Sequence, residues 1–306
     1  MKISTRVEVK SIVMAGLALL FFAANSVLCR MALANTNIDP ASFTSIRLAS
    51  GAGMLFFLSF LFPVKQLNKE DSEATGFNFI HQPIEHWLAA AMLFLYAASF
   101  SFAYMYLDAG MGALILFAFV QLTMFAYSQH KEGGATGLEY IGALTAICGL
   151  GYLVSPGMDS PDMWGTILMA ISGVAWGAYS VLGKEMKHPQ LKANCINFRL
   201  SLFFVIPFFL MNIPMNTLSS EGICLAIASG AVASAIGYAI WYWVVLQFKA
   251  TQAGVLQLTV PLIAAVGGYL LLDEALTLRM LIAASVILLG IMVTFLGKQR
   301  KQTSVA

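Results

Sequence analysis

Ten apolar stretches run through the chain, at roughly 12–34, 41–63, 86–107, 111–130, 138–155, 163–184, 191–213, 221–247, 252–272 and 278–297. Each approaches the ~20 residues that a helix needs to cross a hydrocarbon core of ~30 Å. Backbone polar groups find no partner in lipid, so segments of this length and character predict an all-α integral membrane protein with ten transmembrane helices. Composition agrees: 59% of residues are hydrophobic and 10% charged, whereas a soluble domain carries about 25% charged residues. The breaks hold turn chemistry, in Asn35 to Pro40, Gly133-Gly134, Ser155-Pro156-Gly157, His188-Pro189 and Asn212 to Asn216. Only the polar connection from Lys65 to Glu85 is long.

The segments come round twice. Asn25-Ser26-Val27-Leu28-Cys29-Arg30 returns 154 positions later as Tyr179-Ser180-Val181-Leu182-Gly183-Lys184. Ile46-Arg47-Leu48 answers to Phe198-Arg199-Leu200, and Cys148-Gly149-Leu150 to Leu289-Gly290-Ile291. Five crossings per unit is an odd number, so the units 1–157 and 158–306 are expected to lie upside down relative to each other. Two inverted five-helix repeats around a central cavity are the architecture of a protein that exposes one site to each side of the bilayer in turn. The basic N-terminal run Lys2, Arg6 and Lys10 superficially resembles a secretory signal. Because Asn25 to Arg30 has a counterpart deep in the chain, the first segment is read as a retained helix.

Lys and Arg accumulate in cytoplasmic loops. With an even number of crossings, Lys2, Arg6, Lys10, Lys65, Lys69, Lys131, Lys184, Lys187, Lys192, Lys249, Lys298, Arg300 and Lys301 share the face of the N-terminus, and Arg279 alone falls on the other. Both termini are therefore expected in the cytoplasm. Base this scattered, with a net charge of +2, gives no surface for nucleic acid. The four cysteines lie in or beside apolar segments without a CxxC pair and read as small packing residues.

Arg30, Arg47 and Arg199 fall inside crossings. Arg47 and Arg199 lie about 10–12 Å from their helix starts at ~1.5 Å per residue. Such a residue snorkels to the headgroups, pins two helices, or offers positive potential to an anionic cargo. Arg30 with Arg47 toward the outer face, and Lys184 with Arg199 toward the inner, would make two basic stations, although Lys184 by itself reads as a helix-end anchor. No Asp or Glu occupies the middle of a span, which favours neutral, zwitterionic or anionic cargo over lipophilic cations. Gln121 stands mid-helix in the fourth segment, with Pro261 at the matching place in the ninth and Gln257 one turn earlier. A proline there frees a carbonyl and bends the helix, so Pro261 marks either a cavity wall or a packing kink. Tyr104, Trp176, Tyr179, Tyr238 and Trp241 lie far enough from helix ends to face a wet cavity, whereas Tyr106 and Trp243 suit an interfacial belt. Gly173 and Gly177 form a small-xxx-small pair suited to close helix contact.

Enzymatic chemistry has little to stand on. His81, His86, His130 and His188 are expected as solvated loop residues without a ligand pattern, no Walker loop is present, and no metal or cofactor is expected.

Trp241-Tyr242-Trp243, Ala250-Thr251-Gln252-Ala253-Gly254, Leu258-Thr259-Val260-Pro261-Leu262 and Leu271-Leu272-Asp273-Glu274-Ala275-Leu276-Thr277 together resemble the second half of an EamA-type carrier of the drug/metabolite transporter superfamily. Gly16 to Leu48 and Gly165 to Leu200 resemble the openings of its two repeats. The first half departs from the pattern, with Gln121 in place of the proline and one extra residue between Glu132 and Thr136. The resemblance implies a bacterial-type inner-membrane carrier, its cavity lined by helices one, three, four, six, eight and nine. It also implies basic residues early in the second and seventh helices that recur whatever the cargo, which favours the structural reading of Arg47 and Arg199. It names a scaffold rather than a cargo.

The expected function is secondary transport of small polar metabolites, with amino-acid or metabolite efflux by alternating access as the expected form. Asn25, Tyr104, Gln121, Trp176, Tyr179, Tyr238, Trp241, Gln257 and Pro261 are the expected cavity residues. Arg30, Arg47, Lys184 and Arg199 are the expected electrostatic and structural ones. A drug or nucleoside exporter is the alternative within the class, and a non-transporting receptor or lipid-acting enzyme the alternative outside it. The expected partners are a small-molecule cargo and the bilayer, with the oligomeric state open and a monomer among the options.

Overall fold

The computed structural model describes residues 9–61, 82–132, 136–186, 190–213, 217–245, 247 and 256–305. These residues form ten helical segments and no strand: α1 (Val9–Asn35), α2 (Pro40–Leu61), α3 (Ile84–Ala103), α4 (Ala109–Glu132), α5 (Gly137–Val154), α6 (Met163–Glu185), α7 (Gln190–Asn212), α8 (Ser220–Ile227, continued by Ala228–Ile236 and Gly237–Val245), α9 (Val260–Leu272) and α10 (Leu278–Val305). Among the described residues nine spans are long and apolar enough to cross a membrane, and α9 is a shorter apolar helix. Large apolar side chains such as Phe56, Phe57, Ile141, Leu144 and Leu270 are exposed on the outside of the bundle. That surface is stable only against lipid, and the protein is a multi-pass membrane protein.

Turn residues in the sequence become helix caps, which supply acceptors to otherwise orphaned N–H groups. Asp39 Oδ1 accepts from the N–H of Ala41 and Ser42 at 2.9 and 2.8 Å. Asp162 accepts from Gly165 N–H, Ser219 from Gly222 N–H, and Thr136 with Glu139 forms a reciprocal capping box.

Three of the expected crossings gain detail, and Pro261 a correction. The third crossing stops at Ala103 rather than near 107, because Tyr104 caps it and the chain turns. The eighth is not uniform: Ala228–Ile236 is π-helical, and at its third residue Gly230 lies against α2 so closely that a Cβ would collide with Arg47 O and Ser50 Oγ. In the ninth, Pro261 does not kink a continuous helix. It sits in the first turn of α9 after a turn at Leu258–Thr259, where its missing N–H would be unpaired in any case. The earlier part of that expected crossing, 248–255, lies outside the described residues, as does most of the Lys65 to Glu85 connection.

Helices of the two halves interleave. α3 and α4 pack on α6, α1 on α8 and α9, α2 on α7 and α8, α3 on α7, α4 on α9, and α5 on α10. Replacing each helix by the one five places away returns these nine pairs, while a lesser α4–α10 contact has no counterpart among them. Glycine permits the closest crossings. A Cβ on Gly142 would lie 2.5 Å from Gly290 O, and one on Gly290 2.5 Å from Ala146 N, so α5 and α10 touch backbone to backbone. Gly173 and Gly177 let α6 settle on Phe119 and Thr123 of α4, which is the contact their spacing predicts.

The short connections following α1, α3, α5, α7 and α9 lie on one face, where the described residues hold them to one another or to the starts of neighbouring helices. Asp39 Oδ2 accepts from Thr217 N–H at 2.8 Å. Arg279 donates to Met158 O at 2.9 Å, Tyr152 O at 3.0 Å and both oxygens of Ser155. Gly165 lies under Tyr106 and Leu107. We call this the far face, opposite the near face at which α1 begins.

Candidate functional site

A cavity of about 270 Å³ opens between the two halves. Its walls come from α1 (Phe22, Asn25, Ser26), α3 (Tyr96, Phe100), α4 (Leu116, Phe117, Val120, Met124), α6 (Trp176, Tyr179, Ser180, Gly183), α7 (Ala193, Asn194, Asn197), α8 (Tyr238, Trp241) and Gln257 ahead of α9. Gly183, Ala193, Asn194 and Gln257 belong to the near-face ends of their helices, so the cavity extends from mid-bundle toward that face. α7 joins the helices that the family resemblance implies.

Six of the nine expected cavity residues meet here: Asn25, Trp176, Tyr179, Tyr238, Trp241 and Gln257. The rings form a connected cluster. Trp176 stacks on Tyr179 with centroids 5.4 Å apart and lies 5.3 Å from Tyr238, while Phe22 meets Tyr238 at 5.7 Å and Trp241 at 5.5 Å, edge to face. Gln121 lines a separate cavity of about 120 Å³ beside Glu139 and Thr294. Tyr104 is fully buried behind Phe100, with its hydroxyl donating to Ala109 O at 3.2 Å. Pro261 is buried at the start of α9 and is absent from the cavity walls.

The embedded cations separate into different roles. Arg30 stands on the far-face side of the cavity. Its Nε donates to Glu274 Oε1 at 3.1 Å, Nη1 to Tyr104 O at 2.9 Å, and Nη2 to Asp108 at 3.4 Å. Glu274 Oε2 also accepts from Ala109 N–H at 2.8 Å. One guanidinium thus ties α1 to the α3–α4 and α9–α10 connections on the far face. Burial pushes the Glu274 carboxyl above its ordinary pKa, although the Ala109 N–H and Arg30 favour its charged form.

Arg47 is 1% exposed, so it does not snorkel. Its Nη2 donates to Tyr96 Oη at 2.9 Å, and its guanidinium lies 4.8 Å from the Phe100 ring centre and 5.3 Å from that of Tyr96. Arg199 is half-buried on α7, and the Lys184 side chain lies outside the described residues. Trp243 is partly exposed with Lys10 over its ring, and Tyr106 is exposed, as a belt requires.

Tyr96, Asn194 and Asn197 are cavity residues that the sequence alone does not single out, and only packing brings them together. Tyr179 donates to Asn194 Oδ1, Ser229 and Ser234 donate to Asn25 Oδ1 at 2.8 and 3.2 Å, and His86 Nδ1 meets Asn197 Oδ1 at 2.7 Å. His86 is therefore a buried residue of α3 rather than a solvated loop histidine. His130 is exposed near the end of α4, and His81 and His188 lie outside the described residues.

Residues 163–296 match the EamA-like transporter family. An uncharacterized protein of Pseudomonas aeruginosa is 40% identical over 92% of this chain and 93% of its own length. An uncharacterized transporter of Archaeoglobus fulgidus is 23% identical over 87% and 90%. A probable amino-acid metabolite efflux pump of Escherichia coli is 22% identical over 66% and 72%. A crystal structure superposes with a TM-score of 0.62, at 17% identity, over 94% of this chain and 99% of that one, which speaks to the fold. With the membrane-spanning bundle and the matching second half together, the chain belongs to the EamA-like transporter family.

Proposed function

We propose that the protein is a secondary carrier of small polar metabolites, an amino-acid or related-metabolite exporter, that works by alternating access. The observation carrying this reading is the cavity itself. It lies between interleaved halves, reaches toward one face, and is shut from the other by Arg30, Glu274 and the knitted connections. In this reading 1–157 and 158–306 are inverted repeats, and the self-matching set of helix pairs supports them. Rocking one half against the other would break the far-face ties and close the near face over the same site. In this reading the bias of Lys and Arg favours a cytoplasmic near face, with both termini on the cytoplasmic side of the inner membrane, so cargo would enter from the cytoplasm and leave past Arg30. The efflux name of the Escherichia coli relative points the same way.

The test is counterflow in proteoliposomes loaded with a mixed amino-acid and organic-acid pool, read by mass spectrometry. Selective, protein-dependent exchange of a member of the pool is the expected result. Vesicles that stay tight to the entire pool and to nucleosides and aromatic toxins, with correctly folded protein, would sink the carrier reading.

A further inference from the structure

Several donors in and behind the cavity wall are short of acceptors, although Tyr179 and Ser180 have theirs. Asn25, Asn194 and Asn197 each have the side-chain carbonyl engaged by a protein donor, so these carbonyls are spent on the fold. Asn194 Nδ2 is buried without a partner among the described residues, and Asn197 Nδ2 finds only Met186 Sδ at 4.0 Å. Tyr96 Oη accepts from Arg47, so the hydroxyl's own proton is free to point elsewhere, and Tyr96 lines the cavity. Arg47 Nη1 is likewise buried without a partner among the described residues. The cavity walls contain no Asp or Glu. Arg47 thus brings a positive charge into the bundle among Tyr96, Phe100, Tyr238 and Cys29, with no carboxylate paired to it among the described residues.

A buried cation without a counter-ion is costly, and unpaired buried donors add to the cost. A ligand that brings acceptors and negative charge relieves both at once. We propose that Arg47 and Tyr96 form the charge-selecting end of the cavity and that the cargo is a small organic carboxylate, amino acids included, held by its carboxylate. This rests on the reading of the cavity as the cargo site. The Tyr96 hydroxyl donates to the carboxylate directly, and Arg47, one ring behind the wall, polarises that hydroxyl and supplies the field. The cluster of Phe22, Trp176, Tyr238 and Trp241 takes the remainder of the molecule. Tyr96 is then a binding residue and Arg47 a positioning residue that acts through it.

Trp176 and Trp241 report occupancy by fluorescence. Purified full-length protein in nanodiscs is titrated with leucine, 4-methylpentanoate, 4-methylpentanamide and 4-methylpentanol. The expected result is that 4-methylpentanoate binds at least about tenfold more tightly than its amide and alcohol, the range for a hydrogen bond to a charged group. Tyr96→Phe keeps the ring and should bring acid and amide together. Arg47→Gln should do the same, while Arg47→Lys, which keeps the charge, retains part of the gap. A purely structural Arg47 would weaken acid and amide alike and leave their ratio unmoved. Equal binding of acid and amide by the unaltered protein overturns the proposal and leaves the cavity as a cargo site. No response to any of the four overturns both.

Discussion

Replacing Arg30 with Met should open the far face. The aliphatic stem is kept, so the change removes mainly the guanidinium and its bonds to Glu274, Tyr104 O and Asp108. A hydrogen bond to a charged group contributes about 1.5–3 kcal/mol. The Asp108 partner is 48% exposed, and a pair that wet contributes little, about 0–1 kcal/mol. Arg30 itself is 20% exposed and Glu274 10%, so the other two bonds are partly screened, while Glu274 keeps only the Ala109 N–H. The sealed arrangement should lose about 2–3 kcal/mol, which shifts the balance toward a far-face-open form by roughly 30- to 150-fold. Cys29, fully buried and adjacent in sequence, is the reporter. With Cys148, Cys195 and Cys224 changed to Ala, a membrane-impermeant maleimide applied from the far face should label Cys29 faster in Arg30→Met by about that factor. An unchanged labelling rate in folded protein would refute the idea that this cluster holds the far face shut.

Three further outcomes follow from the same geometry. Because the Glu274 carboxyl has a raised pKa when sealed, the sealed form binds a proton more tightly than a form in which Glu274 meets water. Acid therefore favours sealing, and that preference declines as pH rises from the ordinary carboxylate value through the raised one, then levels off. Far-face Cys29 labelling, normalised to Glu274→Gln at each pH, should rise over that window, and a fall would show the wrong sign. Gly290→Leu forces a side chain into Ala146 N and Gly142 O and should lower stability by about 1–3 kcal/mol, seen as a lower midpoint of thermal unfolding in detergent. Asn25→Leu removes the acceptor shared by Ser229 and Ser234 and one cavity donor. It should cost about 1–2 kcal/mol of stability and weaken cargo binding in the fluorescence titration, whereas unaltered binding would take Asn25 out of the site.

The family and the membrane-spanning character were legible because their signals are local. Twenty apolar residues in a row and the run from Leu271 to Thr277 need no knowledge of neighbours. The aromatic part of the cavity was legible for a similar reason, since Trp176, Tyr179, Tyr238 and Trp241 are polar-tipped rings deep in apolar spans. Gln121 and Pro261 misled. A polar residue or a proline in a span signals that something must satisfy the backbone or the amide, but not on which side of the helix.

Sequence alone therefore determined the class of solvent, the number of apolar segments, the duplicated pattern and the family, because each follows from residue types at short range along one chain. Tertiary structure alone decided which polar groups are already paired. Nothing in the order of residues says that Asn194 gives its carbonyl to Tyr179, that His86 meets Asn197, that Arg30 finds Glu274 across the bundle while Arg47 finds Tyr96 and Phe100, or that Ala228–Ile236 is π-helical where Gly230 approaches Arg47. Those assignments depend on which helix faces are pressed together, and whether a buried charge is spent on the fold or left over for a ligand is a property of that packing.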